Sequence, residues 1–478
     1  MSTDPDRLRP FFNPRSVAVI GASEQGMYPA GIMQNLINHG FPRPIYPINP
    51  RRESVFGLKA YPDVTQTPEP PDLAVFTLPR EGVLPALRQC AQVGVKAACL
   101  ISAGFAESGS EGRQMQQEMV RLVHESGMAL IGPNCAGIAN VPGKLVATRL
   151  PSPPRAGRIS FTSQSGALMM ALYDVFADRR AGMNLLVSTG NQADVSLADT
   201  LVYMAQDDST GVVATFLEGF EDGQRLVEGA RRLLAAEKPL VLLKSGRTHQ
   251  GQMAAATHTG ALAGSDRVFT AVCRQFGILL VDDIHALVDT TCLWAAFGEH
   301  LGAGLRAALV TQSGGLGSFT ADLCEQNGIW LPPLSRSIAD QLRALPDILA
   351  FSDLGNPADV RGAAVLGRKA ARTLAPFMED PAYDVVILLL ARALTRAEDF
   401  ETAQALVELA HNSSKPLAVV WAGGRKPAPA ADTADRILLE GGIPVFEQPS
   451  DCIQALGRLS RYAAFQRAWL DDPENCYA

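Results

Sequence analysis

The chemistry this chain could perform is most visible in Thr257-His258-Thr259-Gly260-Ala261-Leu262-Ala263-Gly264. An imidazole set among Gly, Thr and Ala has little to pack against, so it is free to swing or stay exposed, and a neutral ring nitrogen is a nucleophile or a proton carrier. Alone, the stretch reads more readily as a loop histidine with no task. Two other stretches change that reading. Ser163-Gln164-Ser165-Gly166-Ala167 and Thr311-Gln312-Ser313-Gly314-Gly315 each join an apolar run to a helical pattern, the place where backbone N–H groups bind phosphate.

The elements that must position these residues come from pattern. Ser16-Val-Ala-Val-Ile-Gly21-Ala-Ser23-Glu-Gln25-Gly26 reads as a strand entering a glycine-rich turn, followed by helical spacing to a stop at Gly40. Short apolar stretches at 44–50, 72–79, 97–104 and 129–134, separated by helical segments, predict parallel βαβ units in a doubly wound sheet whose carboxyl ends form one ligand-binding edge. Residues 144–157, rich in Pro and basic residues and without period, read as the link to a second domain. That domain opens with the first Ser-Gly turn and continues through an apolar run ending at Glu218 and the run 238–244 before the histidine. From about residue 305 the pattern starts again, because the second Ser-Gly turn repeats the first and Lys415-Pro416-Leu repeats Lys238-Pro239-Leu. This predicts a divergent duplication in which the two domains share a fold. The second copy has no counterpart of His258, so one turn per copy facing one histidine would make a two-sided cradle.

Composition narrows the function classes. A chain of 478 residues with 47% hydrophobic and 19% charged residues is globular and suits about three domains. Its net charge of -7 gives no basic footprint for nucleic acid. The longest apolar runs, such as 385–391, are far short of a membrane span, and the first residues lack the apolar core of a signal peptide. A cytoplasmic location is expected. The eight cysteines form no CxxC pair and no cluster with histidine, so reduced thiols and no metal site are expected. A nicotinamide oxidoreductase is the first guess for such a start, but the glycines do not follow GxGxxG. After the second strand the chain carries Asn49-Pro50-Arg51-Arg52, where an NAD site wants Asp or Glu and two arginines suit a phosphorylated nucleotide.

These motifs, taken in order, resemble the alpha subunit of NDP-forming (ADP-forming) acyl-CoA synthetases, in the succinyl-CoA synthetase superfamily. The stretches that carry the resemblance run from Phe12-Asn-Pro-Arg-Ser-Val-Ala-Val-Ile-Gly-Ala-Ser23 through Gly132-Pro-Asn-Cys-Ala-Gly137, Thr162-Ser-Gln-Ser-Gly-Ala167, Leu217-Glu-Gly219 and His258-Thr-Gly-Ala-Leu-Ala-Gly264 to Gly355-Asn-Pro-Ala-Asp359 and Gly442-Ile-Pro-Val445. The resemblance implies an α/β chain with a Rossmann-like CoA-binding domain at 1–148, a flavodoxin-like domain with the phosphohistidine loop at 149–302 and a second flavodoxin-like domain at 303–478. It implies interconversion of acyl-CoA, phosphate and ADP with carboxylic acid, CoA and ATP, through acyl phosphate and a phosphohistidine.

Residue by residue, the resemblance puts His258 at the phosphorylated histidine and Glu218 at the carboxylate that orients it. Ser165 and Gly166, with Ser313, Gly314 and Gly315, fall on the helix starts that hold phosphate. CoA contacts are implied at Ser23, Gln25 and Gly26, at Asn49, Pro50 and one of Arg51 and Arg52, at Ser102, Ala103 and Gly104, and at Asn134. His249 lies off the motif and is expected to be an exposed spectator. No ATP-grasp pattern follows Gly442-Ile-Pro-Val, so ADP or ATP and Mg2+ are expected on a partner ATP-grasp beta subunit, in a hetero-oligomer. The rival reading is a non-catalytic sensor or scaffold that binds CoA or acyl-CoA.

Overall fold

The computed structural model describes residues 5–220, 222–259, 265–391, 397–422 and 433–472, without the side chains of 5, 255–259 and 299. The chain divides into two compact units, Met1–Leu287 and Val288–Ala478. Among the described residues, the first unit carries two large sheets and a two-stranded ribbon, Ser54–Val55 with Leu58–Lys59, and the second carries one sheet.

In the first sheet, Ile45–Ile48, Val17–Ile20, Leu73–Phe76, Ala97–Leu100 and Ala129–Ile131 lie side by side, all parallel. Numbered along the chain this is the order 2-1-3-4-5, so the direction of winding reverses between Val17–Ile20 and Leu73–Phe76, and a crevice opens there at the carboxyl edge. The strands are buried on both faces, which is why they read as continuous apolar runs with no alternation.

The parallel strands of the second sheet repeat that order. Leu279–Val281, Leu240–Lys244, Val212–Leu217, Arg155–Ser163 and Gly182–Ser188 run in sequence across it, and an antiparallel pair, Gly137–Asn140 and Leu145–Thr148, extends its edge. Residues 144–157, read in the sequence as an aperiodic link, are therefore partly sheet: Leu145–Thr148 closes a hairpin on Gly137–Asn140, and Arg155–Ser163 begins inside the segment. An edge strand is held by backbone hydrogen bonds, which leave little trace in side-chain pattern.

In the second unit, Ala358–Asp359, Ala307–Thr311, Val385–Leu390, Leu417–Trp421 and Val445–Phe446 again give the parallel order 2-1-3-4-5, with Asp353–Leu354 antiparallel at one edge. The expected repeat extends to small devices. Lys238 Nζ donates to the carbonyls of Met204 (3.2 Å), Ala205 (2.9 Å) and Asp207 (2.8 Å) at the end of helix Leu197–Gln206. Lys415 Nζ does the same for Phe377 (2.9 Å) and Asp380 at the end of helix Lys369–Glu379. Each lysine supplies donors and positive charge to carbonyls that the helix leaves open. Among the described residues, no helix is long and apolar enough to cross a membrane.

Candidate active site

The implied CoA residues meet at the carboxyl edge of the first sheet. Gly21 adopts φ 91° and Gly26 φ 86°, so the turn between them takes a path that L side chains resist, and it delivers the chain into helix Met27–Asn38 with no side-chain cap. The first N–H groups of that helix have no intrahelical partner. Ser23 Oγ accepts from Gln25 N at 3.0 Å. Asn49 Nδ2 donates to Ala22 O (2.8 Å) while its Oδ1 accepts from Arg51 N (2.9 Å), so the side chain read as a ligand contact ties the second strand end to the first turn. Pro50, Arg51 and Arg52 are exposed beside it.

A second cluster forms from the later strand ends. Asn134, at φ 58°, donates its N–H to Ser102 O at 2.9 Å, and Ser102, itself buried, donates its hydroxyl to Leu78 O at 2.6 Å. Gly104, next to exposed Ala103, adopts φ 99° and donates to Glu107 Oε1 at 2.6 Å, while its carbonyl accepts from Arg80 Nη1 at 3.2 Å. Burial raises the Glu107 pKa, but hydrogen bonds from Asn191 and from the Gly104 and Phe105 N–H groups outweigh it and hold the carboxyl below its ordinary range. Asn191 then links the two sheets of this unit: its Oδ1 accepts from Asn134 Nδ2 (3.3 Å), its Nδ2 donates to Gln116 Oε1 (3.0 Å), and its N–H donates to Pro133 O (2.9 Å). Arg80 and Asn191 escaped the sequence reading because neither sits in a motif; the run Thr189-Gly190-Asn191-Gln192 after an apolar strand was the available signal.

The first Ser-Gly turn has the expected form. Ser165 caps helix Gly166–Asp178, its Oγ accepting from Leu168 N at 3.3 Å, which leaves the Gly166 and Ala167 N–H groups at the helix start without an intrahelical partner. Gly166 is also sterically fixed, since a Cβ there would lie 3.0 Å from that of Ala136. Glu218 follows strand Val212–Leu217, which pairs directly with Arg155–Ser163, so the carboxylate and the Ser165 turn leave neighbouring strands at one edge. Gln164 bonds the two turns together: its Oε1 accepts from Glu218 N (2.5 Å) and Gly219 N (3.0 Å), and its Nε2 donates to Gly219 O (2.6 Å).

His258 lies on helix His249–Thr259. The sequence reading placed a polar loop after residue 244; the structure has a helix, consistent with the run of alanines, which are strong helix formers. The His258 side chain and residues 260–264 are outside the described residues. The ends of the segment are tied together, because Arg247 Nε pairs with Asp266 Oδ1 at 2.8 Å and its Nη1 with Asp282 Oδ1 at 2.7 Å. His249 is exposed at the helix start.

In the second unit, Ser313 Oγ accepts from Leu316 N at 3.4 Å and caps helix Gly314–Gln326, as Ser165 does in the first. There the surroundings differ. A Cβ on Gly314 would lie 3.1 Å from Asp359 Oδ2, whereas one on Gly315 would meet nothing within 4 Å. The Asp359 carboxylate beside this turn pairs with Arg361, Nε lying 3.6 Å from Oδ2. Among the described residues no group of His, Cys, Asp and Glu is arranged to hold a metal ion.

Comparison with known proteins agrees with the fold. Residues 15–141 match a CoA-binding domain family, and residues 156–294 match the succinyl-CoA ligase-like flavodoxin domain family. The chain is 34% identical over 464 residues to subunit alpha of the ADP-forming acetate–CoA ligase II of Pyrococcus furiosus, covering 96% of this chain and 97% of that one. It is 36% identical over 455 residues to the ADP-forming acetate–CoA ligase I of Archaeoglobus fulgidus, covering 95% of this chain but 63% of that longer protein. Among solved structures it resembles the dinucleotide-forming acetyl-coenzyme A synthetase 1 of Ca. Korarchaeum cryptofilum in complex with phosphate and ADP, with a TM-score of 0.86 at 30% identity over 99% of each chain. The chain thus belongs to the family of alpha subunits of ADP-forming acyl-CoA synthetases, built from a CoA-binding domain and succinyl-CoA ligase-like flavodoxin domains.

Proposed function

We propose that this chain carries the acyl-transfer and phosphohistidine half of an ADP-forming acid–CoA ligase, with His258 as the phosphorylated residue and Glu218 as its partner. A phosphate oxygen attacks the thioester carbon, the C–S bond breaks and CoA leaves, giving acyl phosphate. His258 Nε2 then attacks phosphorus, the P–O bond to the acyl group breaks, and the carboxylate leaves. Glu218 accepts the Nδ1 proton in a hydrogen bond, which keeps Nε2 as the nucleophile and stabilises the cationic ring as phosphorus is bonded. The Gly166 and Ala167 N–H groups receive the phosphate charge. CoA is held along the first sheet edge by the turn 21–26, by Asn49 and an arginine of the pair 51 and 52, and by the Ser102 and Asn134 turns.

The observation that most supports this reading is the hydrogen bonding of the Glu218-Gly219 turn to Gln164 inside the phosphate-type turn, which keeps an anion-binding helix start and a carboxylate at one edge. Relatives named as alpha subunits support a partner subunit. We assign to it an ATP-grasp fold that brings ADP and Mg2+ and takes the phosphoryl group from His258 to form ATP. We divide this chain at 148 and 302 into the CoA domain and the two flavodoxin-like domains, the hairpin Gly137–Asn140 with Leu145–Thr148 before the first division adding an edge to the sheet of the second domain. The free cysteines among the described residues fit a cytoplasmic location. Acetyl-CoA is the probe of choice because relatives are named acetate–CoA ligases. The test is release of free CoA thiol from acetyl-CoA on adding phosphate to the purified chain, together with base-stable labelling of the protein. Thiol release that is independent of phosphate, or NADH bound in preference to CoA, would overturn the reading.

A further inference from the structure

We infer that Gln164 and Lys244 are positioning residues that fix the Glu218 carboxylate from its two flanking strands; the inference rests on the reading of Glu218 as the partner of His258. Strand Val212–Leu217 lies between Arg155–Ser163 and Leu240–Lys244. The end of each neighbour sends one side chain across to the two-residue turn Glu218-Gly219. From one side Gln164 accepts from both N–H groups and donates to Gly219 O. From the other, Lys244 Nζ donates to Glu218 O at 3.2 Å. Every main-chain N–H and carbonyl of the turn is therefore bonded to a side chain, although both residues are half-exposed and water could have served.

Lys244 is an expensive choice for such a task. It is only 9% exposed, and its other contacts are Ser245 O at 2.8 Å and the face of Phe269 at 5.5 Å. Among the described residues no carboxylate lies within ion-pair distance of it. Burying an ammonium group without a carboxylate is costly, and an apolar side chain would pack there without that cost. What the ammonium adds is a fixed donor to the Glu218 carbonyl and a positive charge at the edge where a carboxylate and a phosphoryl group would gather. With its N–H and carbonyl both held, the Glu218 peptide cannot rotate, and the carboxylate moves only about its side-chain torsions. Because Gln164 precedes the Ser165 cap, the helix start and the carboxylate become one rigid part.

The test uses the full chain with acetyl-CoA and labelled inorganic phosphate, following the initial rate of base-stable protein labelling in Gln164→Ala and Lys244→Met, alone and combined with Glu218→Gln. A displacement of about 1 Å at such a centre costs roughly 10²-fold in rate. Each single variant should lose about that much, with CoA affinity and thermal unfolding close to wild type. In the Glu218→Gln background each should add less than about 3-fold, since all three act through one carboxylate. Lys244→Arg, which keeps charge and donors, should recover most of the loss. If an Ala or Met variant does not fold, Gln164→Glu, which keeps the acceptor but sets a carboxylate oxygen against Gly219 O, and Lys244→Gln, which removes the charge, decide by the same cycle. Losses that multiply in the Glu218→Gln background, or single variants at the wild-type rate while Glu218→Gln is slow, overturn the clamp. A wild-type rate in Glu218→Gln itself overturns the reading of Glu218.

Discussion

Replacing Gly190 with Ala tests whether the Asn134 turn belongs to the CoA site. Gly190 adopts φ 54°, and a Cβ there would fall on Pro133 O and 2.6 Å from Asn134 O. The left-handed conformation alone costs an L residue about 1–2 kcal/mol. The overlap cannot be relieved by a side-chain rotation because both obstacles are backbone, so one turn must retreat from the other. That breaks the bonds from Asn191 N to Pro133 O and from Asn134 N to Ser102 O, both 2.9 Å, each worth roughly 1 kcal/mol. If Asn134 and Ser102 contact CoA, a loss of about 1.4 kcal/mol of binding raises the dissociation constant tenfold. Gly40→Ala is the control: it has φ 65° with nothing within 4 Å of the added carbon, and it lies before strand Ile45–Ile48 enters the sheet. Titration calorimetry of CoA into the two variants should give weakened binding for Gly190→Ala and unchanged binding for Gly40→Ala. Equal affinities in a folded Gly190→Ala protein would refute the placement of CoA against the Asn134 turn.

Two further outcomes follow from polar groups paired within the fold. Burial opposes ionisation of Asp72, but hydrogen bonds from Arg15 and Lys96 prevail and hold its pKa well below the carboxylate range. Its stabilisation is therefore complete above the unfolded value of about 4 and is lost as pH falls toward the folded value. Asp72→Asn should be less stable than wild type by about 1–3 kcal/mol at pH 7 in urea unfolding, and the gap should narrow below about pH 4. A gap that widens in acid would contradict the assignment. Lys238→Met and Lys415→Met each strip donors from a helix end, so each should destabilise its own unit by about 1–3 kcal/mol. Hydrogen exchange should show the first loss confined to residues 5–287 and the second to 288–472; a shared loss in both variants would contradict it.

Much of this architecture is written in side-chain pattern. Strands such as Leu73–Phe76 and Val385–Leu390 are buried on both faces, and runs of that kind stand out from helical spacing. The Ser165 and Ser313 caps were legible because a hydroxyl before glycine at a helix start has one common use. What depends on backbone was not legible. The hairpin Gly137–Asn140 with Leu145–Thr148 is edge pairing, and the helix His249–Thr259 begins in a stretch whose Gly246, Thr248 and Gly251 read as loop. The roles of Gln164, Lys244 and Asn191 were also hidden. Each acts through bonds to partners far away in sequence, main chain for Gln164 and Lys244 and side chains for Asn191, and nothing in the residue type reveals those partners. The same distance explains Asn49, a loop anchor as well as a candidate contact.

The central claim, a phosphohistidine at position 258, is tested most directly by locating the phosphoryl group. The chain is incubated with acetyl-CoA and phosphate, then mapped by peptide mass spectrometry under alkaline conditions, beside His258→Ala and His249→Ala proteins. The account predicts one acid-labile, base-stable phosphoryl group on the peptide containing His258, present in His249→Ala and absent in His258→Ala, whose CoA affinity stays near wild type. Phosphorylation of His258→Ala at the wild-type rate would contradict it.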